Sequence, residues 1–475
     1  SENVMSSSAI GKAIQRLAVQ VDEVYIATDP DTEGEKIAFD VFNLVRPLNP
    51  QVFRVEYHEV TRNGILGALS RRREINVNLV NAQLVRRVED RLIGFELSRI
   101  LKNALGDVNN GSGRVQGPVL KWLVARYKEY LEKRGYVANV VLGNYRFTVF
   151  LGNEKRKKLR VKVRKLGERT GELNPLPPFT TDELLQVAST ELKFPPHVTM
   201  RLAQDLFEMG LITYHRTDST HVSAVGISIA QDYLKSKGLE ADFVPRKWGN
   251  EGTHEAIRPT SPIDAEGLSE LRLTNRFYAT LTGLHVKLYD LIFRRFVASQ
   301  MGPAVGRLSR FEIEVEGVER REIELLTTLE GGFSKLYALR TFSVPEGEFE
   351  IEVKPYKASA VHLPDYAEII RKMKENNIGR PSTYAKTIQS IIRHGYAVES
   401  KRSKKLVVTR RGINALTVLS SRFSEFIDEK RTADLLNKID MIAKGEASPE
   451  EAITGTIAEV LSASSVLPSD SYNYI

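Results

Sequence analysis

Asp29, Asp31 and Glu33 stand at alternate positions directly after the apolar run 24–27. Alternate side chains of an extended loop project to one side, so these three carboxylates would repel one another strongly. A bound hard cation resolves that repulsion, and oxygen ligands of this kind suit magnesium. The sequence therefore predicts a magnesium site built for metal-assisted phosphoryl chemistry.

Two other interpretations compete for this acidic segment. Acidic residues also favour the positive end of a helix, and a helix is predicted over 35–45. A calcium loop is the second, since Asp40 stands at the twelfth position of an Asp-x-Asp-x-Glu-Gly pattern. The context argues against calcium, because a strand precedes the loop and Lys36 stands where an apolar residue is expected.

Tyr214 and Arg216 form a second candidate pair, and in an extended segment they face the same way. A tyrosine hydroxyl is a poor nucleophile at its ordinary pKa of about 10. An adjacent guanidinium favours the phenolate and stabilises charge on an attacked phosphate, so the pair predicts a tyrosine nucleophile. The competing interpretation is a half-buried strand tyrosine beside a surface arginine.

Two further segments have features of phosphate-binding sites. His254 follows a Gly-Thr turn and precedes Arg258 by four residues, although a structural histidine would give the same pattern. Arg380, Ser382 and Thr383 open a helix predicted to end near residue 393, and a helix N-terminus is a ready anion site. Helix capping would explain the two hydroxyls but not the arginine.

Helical elements are expected to present the remaining polar candidates. A long helix is predicted over 79–101, with Arg87 and Asp90 on a polar stripe beside its apolar stripe. Arg114 and Gln116 lie in a loop that leads into a helix and is suited to backbone contact with phosphate.

The predicted secondary structure that positions these residues changes along the chain. The start reads as an α/β unit, 136–163 as strands, and the proline-rich tract 174–178 as a domain boundary. Helices are predicted over 181–192 and 199–209, strands around 311–326 and 349–353, and mostly helices from about Tyr366. Interleaved helical and β-rich blocks indicate that at least one domain is built from separated segments.

Composition limits the class of protein. The 475 residues are enough for several domains, and the net charge of +8 favours a polyanionic partner only slightly. The chain has no cysteine, which excludes disulfides and thiolate zinc sites. No apolar run approaches the roughly 20 residues that span a bilayer, and the N-terminus has no secretory signal pattern. Basic clusters such as 155–158 and 401–405 fit solvated loops or phosphate-facing surfaces.

Six segments in this order resemble the type IA DNA topoisomerases, most of all the topoisomerase half of reverse gyrase. The matching segments are Asp29-x-Asp31-x-Glu33, Arg86-Arg87-x-x-Asp90-Arg91, Gly113-Arg114-Val115-Gln116, Tyr214-x-Arg216-Thr217-Asp218-Ser219, His254-Glu255-Ala256-Ile257-Arg258-Pro259 and Gly379-Arg380-Pro381-Ser382-Thr383-Tyr384.

The resemblance implies a mixed α/β multidomain fold, a toroid with a central hole of DNA size. Its four domains would be a partial Toprim domain (1–61), a helical DNA-binding domain (62–137 and 359–475), a β-rich hinge or arch (138–177 and 303–358), and a domain carrying the nucleophilic tyrosine (178–302).

It also implies the reaction and the residues that carry it. Tyr214 would cleave one strand as a 5′-phosphotyrosine, another strand would pass through the gap, and the 3′-hydroxyl would reseal it. Arg216, His254 and Asp29 would act at the scissile phosphate, and Asp29, Asp31 and Glu33 would hold Mg²⁺. Contacts to the single strand would come from Arg87, Asp90, Arg114, Gln116, Arg258, Arg380, Ser382 and Thr383.

Two departures from the family pattern affect these expectations. The family carries a catalytic Glu on a first Toprim strand, and no such segment precedes Asp29, since Glu2 lies in a different context. The chain is therefore expected to be truncated at its start. Gly111 also stands where a Ser is usual, which puts one DNA contact in question.

The expected partners follow from the same resemblance. A helicase-like ATPase half would be linked or associated, with ATP acting only there, because this chain has no phosphate-binding loop motif. We expect a cytoplasmic, nucleoid-associated protein without membrane contact, and the composition fits a thermophile. The alternatives are a non-catalytic single-strand-binding fragment and a metal-dependent nuclease that uses the carboxylate loop with water.

Overall fold

The computed structural model describes residues 7–250, 252 and 254–465, and these residues form a mixed α/β fold. Glu2, Glu251 and Thr253 lie outside the described residues. The N-terminal α/β region (residues 7–61) contains α1 (Ser7–Ala18), β1 (Val24–Ile26), α2 (Thr32–Val45) and β2 (Val52–Arg54). Its two strands pair in parallel, and a small core that includes Ala38 and Val45 lies beneath them.

The acidic segment is not one extended loop, so that part of the sequence prediction was wrong. Asp31 caps α2 by accepting a hydrogen bond from the Gly34 N–H at 2.7 Å, and Glu33 lies in the first helical turn. The competing interpretation, acids at a helix N-terminus, therefore describes Asp31 and Glu33 locally. Asp29 stays in the preceding loop.

A helical region forms from two separated parts of the chain. The first part contains α3 (Arg62–Ser70), α4 (Val77–Leu105) and α5 (Gln116–Glu132). The second contains α11 (Tyr366–Glu375), α12 (Tyr384–Arg393), α13 (Arg410–Arg422), α14 (Glu429–Lys444) and α15 (Pro449–Ser465). Both parts share one hydrophobic core. A short hairpin of β10 (Ala397–Glu399) and β11 (Leu406–Val408), which the sequence did not predict, lies between α12 and α13.

Two antiparallel sheets make up a β-rich region. The strands are β3 (Arg134–Leu142), β4 (Tyr145–Gly152), β5 (Lys158–Leu173), β6 (Ala304–Val315), β7 (Glu319–Glu330), β8 (Gly347–Glu352) and β9 (Tyr356–Ser359). One sheet has the order β4–β3–β9 and the other β7–β6–β5–β8. The strand predicted around 311–326 is two strands, because the chain turns at Gly317, whose φ is +64°.

The tyrosine region (residues 178–302) is inserted between two neighbouring strands. Leu173 at the end of β5 pairs with Ala304 at the start of β6, so both ends of the insertion meet on one sheet. Its helices are α6 (Thr181–Val187), continued by a π turn to Leu192, α7 (Pro196–Glu208), α8 (Ala224–Ser236), α9 (Ala265–Thr274) and α10 (Gly283–Ser299). These helices enclose the largest apolar cluster among the described residues.

Gly210 ends the helical stretch that the sequence predicted to stop there. Its φ is +69°, a left-handed conformation that side chains with a Cβ rarely adopt. A Cβ at this position would also lie 2.3 Å from the Val60 carbonyl oxygen of the N-terminal α/β region. Across the described residues, no helix is long and apolar enough to cross a membrane.

Gly34→Ala is expected to destabilise the protein by roughly 1–3 kcal/mol, because the new Cβ would lie 1.9 Å from the Asp29 carbonyl oxygen. Gly455→Ala is the matched control, since it adds a Cβ to another helical glycine with nothing within 4 Å. That change should stabilise by about 0.5–1 kcal/mol. Thermal unfolding followed by circular dichroism tests both, and equal effects of the two substitutions would contradict the packing argument.

Candidate active site

Tyr214 lies at the interface between the N-terminal α/β region and the tyrosine region. Its side chain is 2% exposed, and its backbone N–H donates to the His58 carbonyl at 2.8 Å. Its hydroxyl donates to Asp31 Oδ2 at 2.6 Å. Phe207 packs edge-on against the ring with centroids 5.3 Å apart. The N-terminal α/β region therefore holds Tyr214 both at its backbone and at its hydroxyl, the latter through Asp31, 183 positions earlier in the chain.

Arg216 reaches the same carboxylates, as the alternation along the segment predicts. Its Nη1 lies 3.6 Å from Asp31 Oδ2 and 3.9 Å from Asp29 Oδ2. A hydroxyl, a guanidinium and two carboxylates thus meet within a few ångströms. This arrangement supplies a nucleophile, a proton acceptor and a positive charge for a phosphate.

Glu33 points away from that group in this conformation. It pairs with Arg87 on α4, with 3.3 Å between Oε1 and Arg87 Nη2. Within the described residues, no three histidine, aspartate or glutamate side chains converge closely enough to form a metal site by themselves. The structure therefore brings Asp29 and Asp31 together and leaves Glu33 paired with a cation on the facing helix.

The electrostatics of Asp29 and Asp31 fit a divalent cation. Burial is the main cause that raises the pKa of Asp29, and the neighbouring Asp31 raises it further, against the opposing charge of Arg216. A bound cation would compensate the charge of two carboxylates that repel each other in this way. Magnesium commonly uses one or two protein carboxylates and completes its shell with water and substrate phosphate. Asp29 and Asp31 meet that description.

Tyr214 is held in its neutral form. Burial raises the pKa of the phenol, and the Asp31 charge raises it further, while Arg216 acts in the opposite direction. The neighbouring His215 is also uncharged, since burial lowers its pKa to about 3. Hydration of the phenol, or compensation of the Asp31 charge, would therefore favour ionisation of Tyr214.

A cleft of about 200 Å³ opens beside these residues, where the N-terminal α/β, helical and tyrosine regions meet. It is lined by Asp31, Thr32, Glu33, Gln83, Arg86, Arg216, Asp218, His254, Arg380, Pro381, Ser382, Leu436, Ile439, Asp440 and Ala443. Three arginines and a histidine thus face one narrow space beside the buried tyrosine. The same space also holds four carboxylates (Asp31, Glu33, Asp218 and Asp440), so cationic groups for a phosphate backbone stand beside acidic groups for a cation.

Arg380 is placed at this cleft by the start of α12. Its guanidinium contacts Asp440 at 2.5 Å and Asn377 at 2.8 Å. Thr383 does not cap the helix through its side chain and instead bonds back to Arg380, accepting from its N–H at 2.8 Å. Asp440 therefore binds the Arg380 guanidinium at the place where a bound phosphate would contact it.

Arg114 lies deeper, at 2% exposure, and its Nε donates to Asp90 Oδ1 at 2.9 Å. Its two terminal nitrogens have no hydrogen-bond partner among the described residues, and neither has the side-chain oxygen of Gln116. Buried polar groups without partners are costly, and a bound ligand is one way to satisfy them. Gly111 packs closely against His394, since a Cβ at position 111 would lie 3.0 Å from the His394 ring.

Arg258 is placed differently from the sequence prediction of a DNA contact. It is 1% exposed and is bonded to Glu255, Glu59 and Ser223. In this arrangement the guanidinium is enclosed by two carboxylates and does not line the cleft. The structure therefore assigns Arg258 to packing between regions.

Sequence reasoning missed the residues that support the acidic loop from below. Arg54 is 1% exposed and donates to the carbonyls of Thr28 at 3.0 Å and Asp29 at 2.8 Å. Glu35 is fully buried and holds Arg54 at 2.9 Å and Arg73 at 2.8 Å. Burial acts to raise the pKa of Glu35, but hydrogen bonds from Arg73, the Asn76 N–H and Arg54 lower it overall. A glutamate at the start of a helix gives no sequence signal of that role.

Family models and known proteins give matches over nearly the whole chain. A family model described as DNA topoisomerase matches residues 74–137 and 149–454, and a Toprim domain model matches residues 3–60. Reverse gyrase 1 of Sulfurisphaera tokodaii is 51% identical over 464 residues, which cover 96% of this chain and 40% of that protein. Reverse gyrase of Pyrococcus furiosus is 45% identical over 471 residues, which cover 97% of this chain and 38% of that protein.

A solved structure shows the same fold. Full-length topoisomerase I from Thermotoga maritima superposes with a TM-score of 0.74 at 26% identity, covering 96% of this chain and 81% of that chain. The chain spans about two fifths of the length of the curated relatives it matches.

Asp29→Asn should stabilise the metal-free protein at neutral pH, because it removes a partly buried charge beside Asp31. The raised pKa of Asp29 means that the wild-type penalty is complete above that pKa and is lost as pH falls through it. The advantage of the variant should therefore shrink on acidification. Denaturant unfolding in chelator-containing buffer measures this, with Asp22→Asn as an exposed control. A variant less stable than wild type at pH 7 would contradict the account.

Proposed function

The chain belongs to the DNA topoisomerase family, and from its site we propose that it cleaves and reseals one DNA strand through a 5′-phosphotyrosine on Tyr214. The observation that carries this proposal is the 2.6 Å hydrogen bond from the Tyr214 hydroxyl to Asp31, with Arg216 beside both. The position of the tyrosine between two regions supports a nucleophile that can part from its partner. Passage of another strand through the resulting gap would change the linking number.

The reaction follows from the placement of these groups. Tyr214 Oη attacks the phosphorus, a new O–P bond forms, and the bond to the 3′ oxygen breaks. Asp31 is placed to accept the phenol proton, and this proton balances the one that the departing 3′ oxygen takes up to become a hydroxyl. Arg216 stabilises the negative charge on the phosphate oxygens. Resealing is the reverse attack by the 3′-hydroxyl, so the reaction needs no external energy source.

Asp29 and Asp31 are the residues that we propose hold Mg²⁺. When bound there, the ion would compensate the two carboxylates and polarise a phosphate oxygen. Glu33 is a ligand in this proposal only if it leaves Arg87, since 3.3 Å separates the two side chains here.

A single strand in the cleft is proposed to contact His254, Arg87, Asp90, Arg380 and Ser382. Thr383 would act through its bond to Arg380, and Arg114 and Gln116 would supply the partnerless groups at the base of the site. Arg258 is left out because it is buried against carboxylates. A nuclease that used water would not require this buried tyrosine, and a simple binding module would not require its contact with Asp31.

The setting of the module is also part of the proposal. We propose the four-domain division given above and a toroid around DNA, and the presence of several separate hydrophobic clusters supports more than one domain. We propose that a helicase-like, ATP-using half lies in the same longer protein or associates with it, and that positive supercoiling requires both. The proposed site of action is the nucleoid in the cytoplasm of a thermophile.

Tyr214→Phe should abolish covalent attachment to DNA while leaving the fold intact, because only the attacking oxygen is removed. Single-stranded DNA labelled at its 3′ end is mixed with protein and Mg²⁺, quenched with denaturant, and resolved by electrophoresis. A 5′-phosphotyrosine leaves the labelled fragment on the wild-type protein. Tyr233→Phe is the matched control, a buried tyrosine of the same region whose hydroxyl contacts Asp264 instead.

The control variant should form the adduct at the wild-type level. An adduct that persists in Tyr214→Phe would assign the nucleophile to another residue. Cut DNA that is never attached to protein would favour the nuclease.

Mg²⁺ should raise the melting temperature of the wild type, because binding to the folded state alone stabilises it by RT ln(1 + [L]/Kd). Asp29→Asn and Asp31→Asn should each lose most of this rise, since each removes a ligand. Glu33→Gln should keep most of it, because Glu33 faces Arg87. A titration by differential scanning calorimetry distinguishes them, and an equal loss in Glu33→Gln would return that residue to the ligand set.

A further inference from the structure

Four consecutive residues, 57–60, form a docking strip along which the N-terminal α/β region meets the tyrosine region. The Tyr57 ring stacks on Phe207 with centroids 6.2 Å apart and planes 12° from parallel. The His58 carbonyl accepts the Tyr214 N–H at 2.8 Å, and the Val60 carbonyl lies against Gly210. The strip therefore contacts the tyrosine segment directly.

Glu59 supplies the ionic contact of this strip. Its Oε2 lies 3.1 Å from Arg258 Nη2, and its Oε1 accepts a hydrogen bond from the Thr61 hydroxyl at 2.8 Å. The side chain of Glu59 is 14% exposed and that of Arg258 is 2% exposed. A nearly dry ion pair of this kind depends little on bulk salt and strongly on geometry.

Arg258 is joined to the nucleophile through the backbone. The Thr213 N–H donates to the Arg258 carbonyl at 2.9 Å, and the Arg258 N–H donates to the Thr213 hydroxyl at 2.9 Å. Thr213 directly precedes Tyr214. A displacement of Arg258 is therefore coupled to Tyr214 through a single residue, Thr213.

The interface must loosen for the proposed chemistry to proceed. Tyr214 is 2% exposed and its hydroxyl is bonded to Asp31, so a phosphodiester has no path to that oxygen in this arrangement. Resealing demands the opposite, a return of the phosphotyrosine to the same place. The contacts along the strip have to be strong enough to guide that return and weak enough to break.

We propose that Glu59 is a positioning residue of the strand-cleavage reaction, which through Arg258 holds Tyr214 at the carboxylates and sets the balance between resealed and open states. This inference rests on the proposed function. The pair suits a reversible contact because Arg258 keeps Glu255, at 2.6 Å, and Ser223 when Glu59 departs. When the interface opens, the buried Arg258 charge therefore still has partners. A buried charge without a partner would make opening far more costly.

Glu59→Gln tests the inference, with Glu255→Gln as the matched control. Each variant removes one carboxylate from Arg258, but only the first removes the bond that crosses the interface. The equilibrium fraction of protein covalently bound to a single-stranded oligonucleotide labelled at its 3′ end is measured in Mg²⁺ buffer. Glu59→Gln should raise that fraction by roughly tenfold, the effect of losing one hydrogen bond to a charged group. Glu255→Gln should leave it within about twofold of wild type.

A distance measurement separates positioning from a general loss of stability. The chain has no cysteine, so Lys12→Cys and Asp232→Cys, both exposed, give a specific pair of spin labels across the interface. Glu59→Gln should add a population at longer distance in the folded, DNA-free protein, and Glu255→Gln should not. A variant that only melts earlier would show no such population.

The outcomes are distinct for the inference and for the function beneath it. An absent adduct in the wild type would reject the proposed function itself. A wild-type adduct that Glu59→Gln leaves unchanged would overturn the role of Glu59. An equal rise in both variants would also overturn it, because the cause would then be the charge around Arg258 rather than the contact across the interface.

Discussion

The structure depends on two carboxylates, Asp29 and Asp31, held side by side at the edge of a protein interface. Burial and mutual repulsion make this arrangement unfavourable by itself, as the raised pKa of Asp29 shows. Tyr214 and Arg216 relieve part of the repulsion by donating a hydrogen bond and a positive charge. The same two side chains are the proposed nucleophile and the proposed charge stabiliser. The contacts that reduce the repulsion between the carboxylates therefore also bring the reacting groups together.

The remainder of the N-terminal region keeps those carboxylates in place. Arg54 binds the backbone of the acidic loop, and the buried Glu35 fixes Arg54 from the far side. Gly34 lets the helix approach the Asp29 carbonyl more closely than any Cβ would allow. The backbone of the loop is thus held by several hydrogen bonds from Arg54. The negative charge of the Asp29 side chain is only partly offset by neighbouring positive charge. Charged groups with few partners are typical of sites that bind ligands.

The sequence predicted the family, which the family models confirm, but it did not predict the geometry of the site. Alternation correctly placed Tyr214 and Arg216 on one side, and Gly210 correctly marked a helix end. Glu33 was expected beside Asp29, but the helix begins at Thr32 and turns it toward α4. Contacts between distant segments, such as Glu59 with Arg258, leave no periodic pattern in either segment. They arise only when the folded regions meet, and for that reason composition and spacing could not reveal them.

The central claim is that Tyr214 is the residue that becomes bonded to DNA. Its most direct test is mass spectrometry of the trapped protein–DNA complex after nuclease trimming and proteolysis. The account predicts a nucleotide remnant on the peptide that contains Tyr214, attached through phosphate to the phenol oxygen. A remnant on any other residue, or cleaved DNA with no modified peptide, would contradict it.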